Sequence, residues 1–255
     1  MADFASESTH YYHQDGSPCY TIIGKNGKER PTTLREARTM NLVPSVTHVL
    51  NLASKPGLDN WKIDQAILAA LTTPRIDGEP EADYLSRIKI SSKEQASKAA
   101  DRGTQIHSWV EQGFRGEFLP PVGWEGAKYY FSANDTLEKE CGFQDWSSEK
   151  SFARDGFGGK CDLHNNCFVI DFKTTEKDLA TIKTWDEHSM QLGAYRHGLG
   201  VEGAKCGILY IHVKTAESKL LWVDEEELQK GFKCFMALLM FWYAKTGIER
   251  LRGGG

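Results

Sequence analysis

The pattern of apolar and polar positions predicts a helical first part of the chain. After an irregular stretch over residues 1–40, with a strand at about 19–23 and a turn at 24–27, apolar residues recur at helical spacing. Helices are predicted at about 46–71, 80–90, 92–114 and 124–140. Pro74, Gly78 and Pro80 separate the first of these helices from the second.

The second part of the chain alternates strands and helices. Strands are predicted at about 148–154, 157–163, 167–173, 206–213 and 219–223, and helices at about 186–198 and after Asp224. Asn165-Asn166 joins two of the strands as a hairpin turn, and Asp224 with Glu227 resembles a capping box. Leu228, Phe232, Phe235, Leu239 and Trp242 keep helical spacing and are predicted core positions. The order predicts an α/β fold.

The strand at 168–173 carries charge at its end. Residues two apart in a strand point to the same face, so Asp171 and Lys173 project together. Apolar residues on both faces before them are typical of a central, covered strand. Asp162 precedes this strand by a short hairpin, and two carboxylates that converge with a lysine can bind a hard divalent cation and a water molecule. The alternative is a salt bridge at a strand end.

Three further elements occur in a fixed order around this strand. A helix at 102–111 carries His107, a strand at 148–154 carries Glu149 near its start, and a later helix carries Gln191 and Tyr195 as an i,i+4 pair. Together with Gly159-Lys160-Cys161-Asp162 and Asp171-Phe172-Lys173-Thr174, they resemble the RecB-type branch of the PD-(D/E)XK nuclease superfamily. Within it, residues 168–177 followed by 191–195 look most like the mitochondrial genome maintenance exonuclease and phage-type exonucleases. Val43–Leu50, with Trp61-Lys62, fits the same group more loosely.

The resemblance implies a restriction-endonuclease-like core, that is, a central mixed β-sheet flanked by helices, with a large N-terminal helical portion. Residues 1–255 would form a single nuclease domain. Within it, about 46–141 would be a helical portion that grips the substrate, and about 148–247 would be the catalytic core.

The resemblance also implies the roles of the site residues. Asp162 and Asp171 would ligate the catalytic metal, with His107 and the backbone carbonyl of Phe172 as further ligands. Lys173 would orient or activate the attacking water. Oxygen ligands favour Mg²⁺ or Mn²⁺ over zinc.

Two of these assignments leave alternatives open. Glu149 would either ligate the metal or hydrogen-bond into the site. His107, among apolar neighbours, is without the resemblance better explained as a core or boundary histidine.

Candidate DNA contacts come from both parts of the chain. Gln191 and Tyr195 would contact nucleic acid or brace the site, and Trp109 is a candidate for stacking on unpaired bases, with core packing as the alternative. Lys93, Lys98 and Arg102 are candidate phosphate contacts, with a solvated helix face as the alternative.

Composition excludes some classes of protein and cofactor. The net charge of −4 gives no overall basic signature, but residues 84–116 carry six basic and three acidic side chains, a local field that suits a groove gripping a few phosphates. Six scattered cysteines predict no disulfides. The resemblance implies no iron–sulfur cluster either, because the chain lacks the three late cysteines that help to hold the cluster in some relatives. The most apolar segment, residues 234–244, is too short to span a membrane, and no secretory or mitochondrial signal is seen, so an intracellular, cytoplasmic, soluble protein is expected.

The expected function is that of a metal-dependent DNA exonuclease that acts on single strands or exposed ends in replication, recombination or repair. Proteins of replication or recombination are its expected partners. One alternative is a structure-selective endonuclease that cuts flaps or branches. Another is a non-catalytic DNA-end-binding partner of a helicase or recombinase.

Overall fold

The structure is a computed structural model that describes residues 10–116 and 125–249. It contains two compact units. Residues Ser54–Ile106 form one of them, and the described residues before Ser54 and after Ile106 form the other.

The described first part of the chain contains six short elements, and only those at residues 21–23 and 46–50 fall within predicted elements. They are β1 (Tyr11–Tyr12), β2 (Thr21–Ile23), β3 (Glu29–Pro31), α1 (Leu34–Thr39), β4 (Val43–Pro44) and α2 (Val46–Leu50). β1 pairs with β4 and β2 pairs with β3, both antiparallel. Strands of two or three residues are too short to show an alternating pattern, which is why residues 1–40 were expected to be irregular.

The unit Ser54–Ile106 holds two helices. α3 (Pro56–Thr72) begins with a proline at a first-turn position, so the predicted helix over 46–71 is in fact α2 and α3, separated by residues 51–55. The predicted helices at 80–90 and 92–114 are one continuous helix, α4 (Glu81–Phe114), which runs on into the other unit. Ser91 lies between the two predicted segments, and serine lowers helix stability too little to end a helix.

The rest of the chain forms a five-stranded mixed sheet with helices. Its elements are α5 (Ala127–Cys141), β5 (Ser147–Arg154), β6 (Phe157–His164), β7 (Phe168–Thr175), α6 (Asp186–Leu199), β8 (Lys205–His212), β9 (Ser218–Val223) and α7 (Glu225–Thr246). The strand order is β5-β6-β7-β8-β9, and only the β7–β8 pair is parallel. The predicted α/β class with a central mixed sheet flanked by helices is confirmed.

β7 is the central strand of this sheet and has helical residues on both faces. Asp171 accepts a hydrogen bond from Gln191 on α6, whereas the ring of Phe172 packs near His107 and Phe114 at the end of α4. Successive strand residues point to opposite faces, so α6 covers one face and the end of α4 the other.

α7 closes the core beside α6. Asp224 caps it by accepting a hydrogen bond from the backbone N–H of Glu227 at 2.8 Å, as the capping-box pattern predicts. Four of the five predicted core positions of this helix are buried, and Phe232 is half-buried against the core. Among the described residues, no helix is both long enough and apolar enough to cross a membrane.

Candidate active site

Asp162 and Asp171 meet where β6 and β7 separate. The two strands pair at Leu163–Ile170 and His164–Val169, and the next register position would place Asp162 opposite Asp171. The strand pairing stops before this position. The backbone N–H of Phe172 instead donates to Oδ2 of Asp162 at 2.6 Å. The hairpin therefore brings two carboxylates together at the edge of an opening between neighbouring strands.

The Asp171 carboxylate is buried and incompletely partnered. Its side chain is 3% exposed, and Oδ1 accepts a hydrogen bond from Nε2 of Gln191 at 2.9 Å. Oδ2 lies 2.5 Å from Nζ of Lys173 as an ion pair, but it accepts no well-oriented hydrogen bond from any described residue. Burial raises the pKa of Asp171 to about 6, with Lys173 opposing the rise and Asp162 adding to it. A buried carboxylate oxygen of this kind is suited to bind a cation.

Lys173 stands at the rim of the site. Its side chain is 34% exposed, and Nζ lies beside Asp171 and donates to Oε1 of Gln191 at 3.2 Å. Gln191 thus contacts both members of the ion pair, and its Nε2 also bonds to the Tyr195 hydroxyl at 2.9 Å. Gln191 and Tyr195 are both buried, so in this structure they contact the site rather than solvent.

His107 reaches the site from α4. Its Nδ1 lies 4.0 Å from Oδ2 of Asp162, and its side chain is 32% exposed. Two ligands of one Mg²⁺ or Mn²⁺ ion, each about 2.1 Å from the metal, can be separated by this distance. The position of His107 is therefore consistent with a ligand role.

The donor set fits a hard divalent cation. Two carboxylates, one imidazole and the backbone around Phe172 supply mainly oxygen, and the buried Oδ2 of Asp171 already faces a cation, the Lys173 ammonium. Within residues 10–116 and 125–249, however, no group of three or more His, Cys, Asp or Glu side chains has a geometry that could already coordinate a metal ion. Metal binding would require the Lys173 ammonium to move away from Oδ2 of Asp171.

Glu149 lies on β5, opposite Asp162 in register, since the flanking pairs are Ser148–Leu163 and Lys150–Cys161. Its carboxylate forms an ion pair with Lys160, and its side chain is 10% exposed. Its backbone has a φ of +57°, a left-handed conformation that is rare for a non-glycine residue. Such strain persists only where the surrounding structure enforces it, and it is common at functional sites.

Lys160 is the ion-pair partner of Glu149, and the sequence analysis did not assign it a role. It lies two residues before Asp162 on the same strand, so the two side chains point to the same face. Asp171 and Lys173 have the same spacing, and this spacing could have identified Lys160 from the sequence. Beside it lies a cavity of about 10 Å³, the size of one water molecule, lined in part by His10, Ser45 and Tyr195. The N-terminal segment contacts β6 beside this cavity through an isolated parallel β-bridge between Ser45 and Gly158. Sequence spacing does not reveal this contact.

The candidate DNA contacts are divided between the two compact units. Lys93 and Lys98 are exposed on α4 within the unit Ser54–Ile106, where half-buried Arg102 bonds to Gln105. Trp109 belongs to the other unit and stacks on Tyr129, with ring centroids 5.6 Å apart.

Comparisons with known proteins show slight structural similarity. No protein-family model and no curated protein matches the chain. Among solved structures, a candidate exonuclease from Eubacterium rectale has 15% sequence identity and a TM-score of 0.40, with 60% of this chain and 71% of that chain covered. An alkaline exonuclease from Laribacter hongkongensis has 14% identity and a TM-score of 0.31, with 48% and 72% covered. A phage-related exonuclease from Haemophilus somnus has 14% identity and a TM-score of 0.30, with 55% and 81% covered. These values are low, and the function proposed below rests on the site alone.

Proposed function

We propose that the chain is a Mg²⁺- or Mn²⁺-dependent DNA exonuclease of the RecB-type PD-(D/E)XK kind. The observation that supports this most directly is the buried Asp171 carboxylate, which stands beside Asp162 and whose Oδ2 forms an ion pair with Lys173. A salt bridge at a strand end would not require burial of the carboxylate, a second carboxylate at the next register position, or a buried glutamine that contacts both charges.

Each residue has a role that follows from its position. Asp162 and Asp171 would hold the cation, with His107 and the Phe172 carbonyl as further ligands and Glu149 beside them. When bound, the cation would neutralise the phosphodiester and lower the pKa of a water molecule. Lys173, at the rim, would orient that water and stabilise the charge that develops on the phosphate. Gln191 and Tyr195 would hold the Asp171 carboxylate and the lysine in place.

The substrate would be single-stranded DNA or an exposed DNA end in replication, recombination or repair. Within the unit Ser54–Ile106, exposed Lys93 and Lys98, together with Arg102, would contact backbone phosphates.

The test uses one single-stranded DNA labelled separately at its two ends, and a circular form of the same strand. Wild type, Lys173→Ala and the matched control Lys177→Ala are incubated with Mg²⁺, Mn²⁺ or a chelator. Lys177 is an exposed lysine four residues further on, outside the contacts described above. The proposal expects stepwise, metal-dependent shortening of the linear strand by wild type and by Lys177→Ala, with at least about a hundredfold loss for Lys173→Ala.

The remaining outcomes separate the alternatives. Cleavage of the circle would replace the exonuclease proposal by the endonuclease. Binding of the strand without cleavage in either metal would support the other alternative, a non-catalytic DNA-end-binding protein.

A further inference from the structure

The β2–β3 hairpin and α1 form a basic surface that lies outside the candidate active site. Residues 24–38 contain five basic and two acidic side chains, although the whole chain has a net charge of −4. The five basic residues are Lys25, Lys28, Arg30, Arg35 and Arg38. We refer to the exposed Lys25, Lys28 and Arg35 as the hairpin patch.

The hairpin patch holds the cations of this segment that are not used internally. Arg30 forms an ion pair with Glu36 at 2.8 Å, and Arg38 donates to the backbone carbonyl of Thr246. By contrast, the side chains of Lys25, Lys28 and Arg35 make no ion pair or hydrogen bond with other described residues. Three positive charges therefore remain available on one short segment.

The local fold directs two of these charges, Lys25 and Arg35, to a common place. The turn of the hairpin is closed by backbone hydrogen bonds from Gly27 to Gly24 at 2.9 Å and from Gly24 to Lys28 at 2.8 Å. Gly27 has a φ of +73°, which glycine adopts without strain. Lys25 and Arg35 line one open depression of about 550 Å³ between the turn and α1, so the hairpin and the helix present their charges together.

We propose that the hairpin patch binds the phosphodiester backbone of a nucleic acid outside the catalytic site. Long, exposed cationic side chains spread along a shallow surface suit a polyanion with regularly spaced charges, because each can reach a separate phosphate. An isolated phosphate would instead require donors that converge on one point, and the patch contains no aromatic side chain that would read a base. The choice of nucleic acid as the polyanion rests on the proposed function.

The experiment measures binding in a background that cannot cleave. Asp171→Asn and the same variant with Lys25→Gln, Lys28→Gln and Arg35→Gln are titrated with a fluorescent single-stranded 40-mer at several salt concentrations. The control carries Lys139→Gln, Lys233→Gln and Lys245→Gln, which remove the same charge from exposed positions of the same compact unit. All six positions are exposed, so the fold is expected to persist, and the circular dichroism spectrum and melting temperature check this.

The patch variant is expected to bind about tenfold more weakly at low salt, with its plot of log K against log salt flatter by about 2, while the control triple changes little. Equal affinity of the patch variant and its parent would overturn the proposal, as would a parent that binds no DNA. So would a patch variant that loses binding to polyglutamate or to phosphatidylserine vesicles but keeps its affinity for DNA. Failure of the proposed function is visible separately, as wild type that binds DNA but does not shorten it.

Discussion

Gln191 and Asp171 are joined by a buried hydrogen bond of 2.9 Å from Nε2 to Oδ1, and the same amide accepts from Lys173 through its oxygen at 3.2 Å. One side chain on α6 thus fixes a carboxylate and an ammonium that are two residues apart on β7. Because both charges depend on this amide for their orientation, Gln191 is a positioning residue of the proposed nuclease.

Replacing Gln191 by leucine should lower activity without removing any proposed ligand. We expect an increase of about 10- to 100-fold in the metal concentration needed for half-maximal cleavage, since partners of metal ligands typically contribute this much. Cleavage should be restored in part by raising Mn²⁺. A variant that loses all cleavage and gains nothing from added metal would show that Gln191 acts in another way.

The burial of Asp171 should make the metal-free protein less stable as pH rises. The folded pKa is about 6, above the ordinary value of 3.8, so between these values the folded state binds more protons than the unfolded state. Stability from this group is therefore full below about pH 4 and lost as pH rises through 6. In chelator, Asp171→Asn should be more stable than wild type by on the order of 3 kcal/mol at pH 7 and by close to nothing at pH 4.

Urea unfolding at the two pH values measures this difference. Asp135→Asn changes an exposed aspartate on α5 and serves as the matched control, with no gain expected. If Asp171→Asn gains the same free energy of unfolding at both pH values, the gain does not come from ionisation. That result would contradict a raised pKa for Asp171.

Binding of Mg²⁺ or Mn²⁺ should stabilise wild type and not Asp171→Asn. At a free metal concentration of 100 times the dissociation constant, the folded state should gain about 2.7 kcal/mol at pH 8. The gain should shrink below pH 6, because the metal then competes with a proton for Asp171. Melting temperatures across a metal titration measure it, with His107→Ala expected to need more Mn²⁺ than wild type. Equal stabilisation of Asp171→Asn by metal would place the cation elsewhere.

Sequence alone predicted the five-stranded sheet and its helices because these elements are long and regular. β7 is a continuous apolar run buried over residues 169–172, and α7 keeps helical spacing from its Asp224 cap onward, so hydrophobic burial and local geometry agree there. The proximity of Asp162 to Asp171 followed from one short hairpin. A sequence pattern can predict contacts between two strands that a short hairpin joins.

The parts that sequence did not reveal depend on contacts between distant segments. The pairing of Lys160 with Glu149 needs the register of β5 on β6, and the left-handed backbone of Glu149 has no signature in its residue type. The contact between Ser45 and Gly158 joins segments more than 100 residues apart. β1 and β4 have two residues each, which is too short for a sequence pattern that would predict this contact.

Gly158 is the point at which this N-terminal segment meets β6, and adding a methyl group there should destabilise the protein. A Cβ at position 158 would lie 2.7 Å from both Cβ and Cγ of Tyr12, atoms that cannot move without shifting β1. Overpacking of this kind usually costs about 1–3 kcal/mol, so the urea midpoint of Gly158→Ala should fall accordingly. Gly203→Ala is the control, because a Cβ there would meet no atom within 4 Å. If Gly158→Ala unfolds at the wild-type midpoint, then the N-terminal segment does not pack on β6 at this position.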